Sequence, residues 1–320
     1  MANKYLKLLK EFITDKNKRF LILNSLCFYK NMDDEEYLKR RFYAKFGRYP
    51  DLKDPKTYNE KLQWLKLHDF KPLYTKIADK YEVKKYVADL IGQEYIIPTL
   101  KVYDCLDDIR FDELPDSFVI KVTHDSGGLY VVKDKSKVKL SQIKRKLSWR
   151  FKRNFYYVGR EKPYRDIKPR IIAEKYMNEL SGEDLIDYRF FCFDGEPKLI
   201  IMTHNTMNKS KLAIRMYDTD WNLLNVGFKG KPPIKDPEPR PQKLEELLRL
   251  SRILSRPFKH IRADFYVVGD KIYFGELTFF HVDGLEVYTP ESFEYEMGAL
   301  LDLSDMMEKD PLSGGETGNG

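Results

Sequence analysis

The run IRADFYVVGDKIYFGELTFF sets two carboxylates, Asp264 and Glu276, among residues that otherwise alternate apolar and polar as strands do. Gly269-Asp270 between the halves is a turn dipeptide, so the run predicts a hairpin with one carboxylate on each strand. A carboxylate in such surroundings needs a partner, because stripping it of water without one is costly. The nearby Arg262 can neutralise the pair through structural ion pairs. A divalent cation is the other solution. Two carboxylates facing one side, with phosphate oxygens filling the remaining positions, suit Mg²⁺, which binds oxygen and seldom receives an all-protein cage. On the residues alone both solutions stay open.

FVIKVTHDSGG carries Lys121 near the end of an apolar strand and leads into a loop of His124, Ser126, Gly127 and Gly128. Glycines let backbone N–H groups approach an anion, Ser126 adds a hydroxyl and Lys121 a fixed positive charge, which together form a phosphate-binding arrangement. The Gly-Lys-Ser/Thr of a Walker loop is missing, and paired glycines also make ordinary hairpin turns. In RIIAEKYM an apolar strand ends in Glu174, Lys175 and Tyr176, a pattern able to line a purine pocket, with backbone groups on the base edge and Glu174 accepting from an amine or a ribose hydroxyl. DYRFFCFDGEPKLI turns at Asp194-Gly195 and puts Arg189 among aromatic residues, available to a phosphate or to Asp187 on the same strand. Asp218-x-Asp220 in MYDTDW is a weaker diphosphate–metal candidate, since Asp followed by Trp-Asn fits a hairpin turn.

These groups need elements to position them. Residues 1–45 read as helical, with Leu6, Leu9, Phe12 and Ile13 at helical spacing, and FLILNSLCF reads as a buried segment too short to span a bilayer. Pro50 and Pro55 punctuate a loop, after which Thr57 and Glu60 form a capping-box pattern. A helix is expected from about Tyr74 to Ile91, ending at Gly92. Strands are expected at 117–124, 130–134, 170–177, 187–193 and 198–204, interrupted by helices at about 139–151 and 242–256. PPIKDPEPRP is a connector and SGGETGNG a flexible tail. The pattern is α+β rather than the strict alternation of a doubly wound fold.

Composition bounds the function. With 320 residues, 42% of them hydrophobic, the chain can bury a substantial core. The 57 basic residues are interspersed with 50 acidic ones, and the net charge of +7 favours small anionic substrates over nucleic acid. The basic run Lys137 to Arg153 offers charge to an acidic polymer, a membrane surface or a phosphate, so peripheral membrane association stays open; a solvated helix face is the commoner outcome for such runs. Cys27, Cys105 and Cys192 are too few and too scattered for a disulfide framework or a zinc site. With no cleavable leader and no transmembrane segment in view, a cytoplasmic protein is expected.

The order of these pieces resembles the ATP-grasp superfamily, and in detail its TupA-like branch, named for a protein of teichuronopeptide biosynthesis. The resemblance runs from about Phe46 to Glu296 through FGRYPDLKDPKTYNEKLQWLKL, IADKYEVKKYVADLIGQEYIIPTLKVYD, LPDSFVIKVTHDSGG, RIIAEKYM, DYRFFCFDGEPK and RADFYVVGDKIYFGELTFF. It implies an α+β ATP-grasp fold in which two lobes and a mobile lid clamp ATP. The divisions are a helical region at 1–45, an N-terminal lobe at 46–116, a lid subdomain at 117–186, a catalytic lobe at 187–304 and a tail at 305–320. By resemblance Lys80 and Lys121 hold phosphates, and Glu174 with the backbone of Lys175 and Tyr176 reads adenine. Arg262, Asp264 and Glu276 match the catalytic, metal-binding centre, and the His124–Gly128 loop closes over the γ-phosphate. Thr278 stands where the superfamily usually has a metal-coordinating Asn and offers a hydroxyl instead, while FFHVDG replaces a Pro-Gly pattern, so that His281 and Asp283 shape an acceptor pocket.

The implied reaction uses ATP and Mg²⁺ to form an acyl phosphate on a carboxylate and then an amide with an amine. The expected acceptor is a uronic acid or nucleotide-uronate of capsular or other surface polysaccharide synthesis. A sugar kinase, a metal-dependent polysaccharide glycosyltransferase using Asp218 and Asp220, and a nucleotide-binding module without catalysis are the rivals.

Overall fold

The computed structural model describes residues 10–177, 186–204 and 213–308; Leu6, Leu9 and SGGETGNG lie outside them. Two antiparallel sheets dominate. The smaller has the order β1-β4-β2-β3, formed by Thr99–Tyr103 (β1), Phe118–Val122 (β2), Leu129–Val132 (β3) and Ile171–Lys175 (β4). Alternation along β2 buries Phe118, Ile120 and Val122 against Ile143 and Leu147 of α6 (Leu140–Lys152) and leaves Val119 and Lys121 on the opposite face. The sheet therefore starts at β1, upstream of the expected division at 117.

The larger sheet, β10-β9-β5-β6-β7, comprises Ile186–Phe193 (β5), Glu196–His204 (β6), Ala213–Asp218 (β7), His260–Val268 (β9) and Lys271–Thr278 (β10). One face rests on α8 (Leu244–Ser255), whose Leu244, Leu247, Leu248 and Leu254 recur at helical spacing and are buried. The expected hairpin is β9–β10, turning at Gly269-Asp270. Its register slips between Phe274 and Glu276, a bulge that brings Glu276 opposite Asp264 and Thr278 opposite Arg262. On the other side of β9, Arg189 of β5 lies opposite Asp264. A short pair, Gly227–Phe228 (β8) with Tyr288–Thr289 (β11), lies beside this sheet.

Helices complete the frame: α1 (Lys16–Ser25), α2 (Asp34–Phe46), α3 (Tyr58–His68), α4 (Pro72–Ala78), α5 (Glu82–Ile91), the single turn α7 (Tyr156–Gly159) and α9 (Phe293–Leu300). The expected capping box forms: Glu60 N donates to Thr57 Oγ1, and Thr57 N donates to Glu60 Oε2 at 3.0 Å.

Three expectations need correction. The span from Tyr74 to Ile91 is two helices rather than one, because Asp79 turns its carboxylate onto the Tyr81 N–H (2.8 Å) and Lys80 N–H bonds to Thr123 O (3.2 Å), so the chain starts afresh at Glu82. FLILNSLCF is buried on one face only: Phe20 and Asn24 pack inward while Leu26 and Phe28 are exposed after the helix ends. The basic run is not uniformly solvated, since Arg150 and Arg153 reach back to Asp125. No helix among the described residues is long and apolar enough to cross a membrane.

Candidate active site

Between the free face of the small sheet and the β9–β10 hairpin lies a cavity of about 190 Å³. Its walls are apolar, with Val83, Ile96, Val119, Val131, Phe274 and Leu277, and Glu174, Lys175 and Tyr176 stand along it. It opens into a wider cavity of about 600 Å³ that shares Lys80, Lys121 and Glu276 with it. Ser126, Gly127, Arg189, Arg262, Asp264 and Thr278 line the wider part. One cleft thus collects most of the residues singled out in the sequence. An apolar slot that leads to a cationic, then acidic, chamber fits a flat base followed by phosphates.

At the junction, Glu174 is buried between two ammonium groups: its Oε2 is 2.6 Å from Lys121 Nζ, and its Oε1 meets Lys84 Nζ. Lys84 also donates to Ile97 O (2.8 Å) and Thr99 Oγ1 (2.7 Å). Burial pushes the Glu174 pKa upward, but Lys121 and Lys84 outweigh it and hold the carboxyl below its ordinary range. Nothing in the sequence pattern singles out Lys84, although it lies four residues after Lys80. The Lys80 ammonium donates to Asp125 O (2.8 Å), and burial lowers its pKa against the pull of Glu276.

The loop after β2 divides its residues. Ser126 and Gly127 face the cleft, and Gly127 adopts φ +80°. His124 is not among the residues lining either cavity. It is buried, with Nε2 3.1 Å from Phe151 O and its ring edge-on to Phe151. Gly128 also serves packing, since a Cβ there would stand 2.4 Å from Val122 Cγ2. Of the loop residues expected to hold phosphate, Ser126 and Gly127 thus line the cleft, whereas His124 packs on Phe151 of α6 and Gly128 against Val122 of β2. The loop is anchored by Asp125, which no sequence motif marks. Fully buried, it accepts from Arg153 Nη2 (2.6 Å), Arg150 Nη1 (3.3 Å) and its neighbour Ser126 N (2.8 Å).

On the larger sheet, Arg262 organises the acidic end. Its Nε and Nη2 fork onto Asp264 at 2.7 and 2.6 Å, Nη2 also reaches Glu276 Oε1 (3.0 Å) and Thr278 Oγ1 (3.2 Å), and Nη1 donates to His281 Nδ1 (2.7 Å). Thr278 in turn donates to Glu276 Oε1 (3.1 Å). Arg189 is held by Asp187 Oδ2 (2.8 Å from Nε), while Asp187 Oδ1 is buried and has no partner among the described residues. Burial, opposed by Arg262 and aided by Asp187 and Glu276, pushes the Asp264 pKa up to about 7. Burial also acts upward on Glu276, but Arg262, Lys80 and Arg189 outweigh it and keep that carboxyl low.

The donor set fits a hard divalent cation. Asp264, Glu276 and the Thr278 hydroxyl present oxygen alone, and the raised Asp264 together with the unpartnered Asp187 oxygen marks a surplus of carboxylate that a cation would relieve. Among the described residues no three His, Cys, Asp or Glu side chains form a metal cage.

FFHVDG makes a strained turn, with Val282, Asp283 and Gly284 at φ +46°, +62° and +64°. It sends His281 to Arg262, and Asp283 to Arg41 Nη2 (2.7 Å) and Lys66 Nζ (3.5 Å). Burial acts upward on the Asp283 pKa, but Arg41 and Lys66 hold it well below the usual range; burial and Asp283 drive that of Glu161 upward. Arg41, Lys45, Glu161 and Asp283 form the far wall of the cleft. Asp218 and Asp220 are not brought there. Asp218 Oδ1 accepts from the N–H groups of Asp220 (3.0 Å) and Asn222 (2.8 Å), which commits the carboxylate to its turn.

Two antiparallel sheets that hold between them an apolar slot, paired lysines and a carboxylate–arginine centre define the ATP-grasp class. Within it the chain belongs to the TupA-like ATP-grasp family, whose model matches residues 60–302. Among solved structures, similarity is found to a D-alanine–D-alanine ligase from Bacillus anthracis complexed with ATP, at 17% identity and TM-score 0.43, covering 74% of this chain and 66% of that one. It is also found to a D-alanyl-alanine synthetase A from Vibrio cholerae (11%, TM-score 0.40, covering 86% and 72%). A third is the ATP-grasp ligase PsnB in complex with a minimal precursor, Mg and ADP (10%, TM-score 0.35, covering 69% and 57%). The chain spans less than two thirds of the length of the Bacillus ligase. No curated protein sequence matches it significantly.

Proposed function

We propose that this chain is an ATP-dependent carboxylate–amine ligase that activates a sugar carboxylate for amide formation in surface polysaccharide synthesis. The observation that carries the reading is one continuous cleft with Lys80, Lys121, Asp264, Glu276 and Arg262 all on its walls. Adenine occupies the slot beside Glu174, Lys175 and Tyr176. Lys80 and Lys121 neutralise phosphates, and Ser126 and Gly127 cover them. Asp264, Glu276 and Thr278 would hold Mg²⁺, which when bound neutralises charge on the triphosphate.

In the first step an acceptor carboxylate oxygen bonds to the γ-phosphorus while the bond to the bridging oxygen breaks and ADP leaves. In the second, an amine nitrogen bonds to the acyl carbon, inorganic phosphate departs and the nitrogen loses a proton. Arg262 and Arg189 steady the oxygens that gain charge. Closure of the Ser126–Gly127 loop excludes water, which would otherwise hydrolyse the acyl phosphate. The uronic acid and the polysaccharide are carried over from the resemblance to the TupA-like branch, and belong to this proposal together with a cytoplasmic location.

The test is an ADP-release screen of uronic acids and nucleotide-uronates against amino acids, with Mg²⁺ present or chelated. ADP and an amide appearing together, and only with Mg²⁺, is the expected result. A stable phosphosugar that persists in the presence of amines would make the protein a kinase instead, and saturable ATP binding with no ADP release would remove the catalytic reading.

A further inference from the structure

Past Arg189 the cleft continues into another cavity, of about 400 Å³, between β6, β7 and the Gly227–Ile234 turn; Arg189 and Val282 line both spaces. Two of its lining side chains, Thr203 and His281, are 1% and 3% exposed, yet among the described residues Thr203 Oγ1 and His281 Nε2 have no hydrogen-bond partner. The proton on His281 can be assigned. A guanidinium only donates, so His281 Nδ1, facing Arg262 Nη1 at 2.7 Å, is the bare nitrogen, and Nε2 carries the hydrogen. A buried N–H and a buried hydroxyl without partners lose their hydration for nothing unless a ligand supplies the missing bonds. Lys229 and Lys231 add positive charge at the exposed edge, and the buried Glu286, whose Oε1 accepts from the N–H groups of Lys229 (3.2 Å) and Val287 (2.9 Å), also lines the cavity and offers Oε2 as an acceptor. Arg189 spends Nε and Nη2 on Asp187, which leaves Nη1 for an anion at the passage between the cavities.

We infer that this cavity seats the body of the acceptor, a polyhydroxylated carboxylate, with His281 Nε2–H, Thr203 and Glu286 bonding its hydroxyls and Arg189 directing its carboxylate back into the nucleotide cleft. A hydroxyl both donates and accepts, and so matches a wall that mixes N–H, O–H and carboxylate. The lysines at the edge suit either a second carboxylate or the diphosphate of a nucleotide sugar. The inference rests on the ligase reading, because only a carboxylate poised at Arg189 gives that reaction its acceptor.

The experiment is calorimetric titration of the full chain, held with Mg²⁺ and a non-hydrolysable ATP analogue, using D-glucuronate, D-galacturonate, UDP-glucuronate and, as the uncharged control, D-glucose. Thr203→Val keeps the shape and removes the hydroxyl. Lys231→Glu lies on an exposed turn, where folding tolerates it. At least one acid should bind at least tenfold more tightly than glucose, and each substitution should weaken it at least fivefold while affinity for the nucleotide analogue stays as in the wild type. Binding by UDP-glucuronate alone also supports the seat and assigns the lysines to the diphosphate. Acid binding that neither substitution changes overturns the inference. So does wild-type protein that binds the analogue but none of the acids, an outcome that leaves the nucleotide site standing. Failure to bind the analogue at all removes the ligase reading, and this inference with it.

Discussion

Replacing Glu174 by Gln removes the charge that holds Lys84 and Lys121 together under the small sheet. The Glu174 side chain is 5% exposed, and those of Lys84 and Lys121 are 13% and 19% exposed, so water screens these pairs only weakly. Breaking a buried pair by deleting one partner costs about 3–5 kcal/mol, chiefly through the charge left behind. Here the loss should fall lower, at about 2–4 kcal/mol, because Lys84 keeps Ile97 O and Thr99 Oγ1 and Lys121 can swing toward the cleft. For a chain of this length that is a fall of roughly 4–8 °C in Tm at about 2 °C per kcal/mol. The sign with pH is fixed by the direction of the shift. The folded Glu174 pKa lies below its ordinary value, so its contribution is fully present at neutral pH and fades as the pH drops below the glutamate range. Wild type and Glu174→Gln should therefore converge in acid.

The same substitution tests the nucleotide site. With the internal carboxylate gone, triphosphate is the remaining anion for both lysines, so ATP should raise the Tm of Glu174→Gln more than that of the wild type. Differential scanning fluorimetry across pH, with and without ATP, measures all three effects. A variant as stable as the wild type at neutral pH would refute the buried-triad reasoning, and equal ATP-induced shifts would show that Lys84 and Lys121 do not meet phosphate.

Asp264 titrates near pH 7 without metal, so Mg²⁺ should be needed at lower concentration as the pH rises through about 7, and Asp264→Asn should abolish that trend; Mg²⁺ titration of ADP release on either side of this pH checks it. In stability terms the ionised Asp264 works against the fold as the pH climbs from the ordinary aspartate value through about 7, and Mg-nucleotide should offset it. Gly284→Ala should cost at least about 2 kcal/mol in urea unfolding, because its Cβ would stand 2.4 Å from Gln63 Nε2 and 2.9 Å from Leu62 Cβ at a φ of +64°. Asp125→Ala should cost about 3 kcal/mol and expose the Ser126–Gly127 loop to limited proteolysis, since it leaves Arg153 buried without its carboxylate.

Local pattern makes part of the site legible. The apolar runs of β2 and of the β9–β10 hairpin announce Lys121, Asp264 and Glu276, because a charged residue set among strand-forming apolar residues stands out without knowledge of the fold. The break before Glu82 is hidden because apolar spacing runs through it, while the helix is interrupted by the Tyr81 N–H donating to the Asp79 carboxylate and by the Lys80 N–H donating to the distant Thr123 O. Asp125, Arg41 and Glu161 are invisible for another reason: their partners lie at Arg150 and Arg153, at Asp283, and again at Asp283, across sequence distances that no local period spans. Gly127 and Gly128 look alike as a pair, yet one has the positive φ of the loop and the other only the close approach of Val122.

The ion pairs across the cleft also bear on how it would release a nucleotide. Lys121 and Lys84 are paired with Glu174, Arg262 with Asp264 and Arg189 with Asp187, while among the described residues Lys80 meets only a backbone carbonyl in hydrogen-bonding range. A phosphate arriving at Lys121 must therefore displace or share a carboxylate, and exchanging one ion pair for another gains far less than pairing a bare cation. Lys80 is the exception, its pKa lowered by burial with Lys121 nearby, so it has the most to gain from an anion. The asymmetry predicts that Lys80→Met weakens nucleotide binding more than Lys121→Met, although both lysines line the same cavity. In the latter variant Glu174 retains Lys84, and equal losses in the two would show that the internal pairs do not govern the exchange.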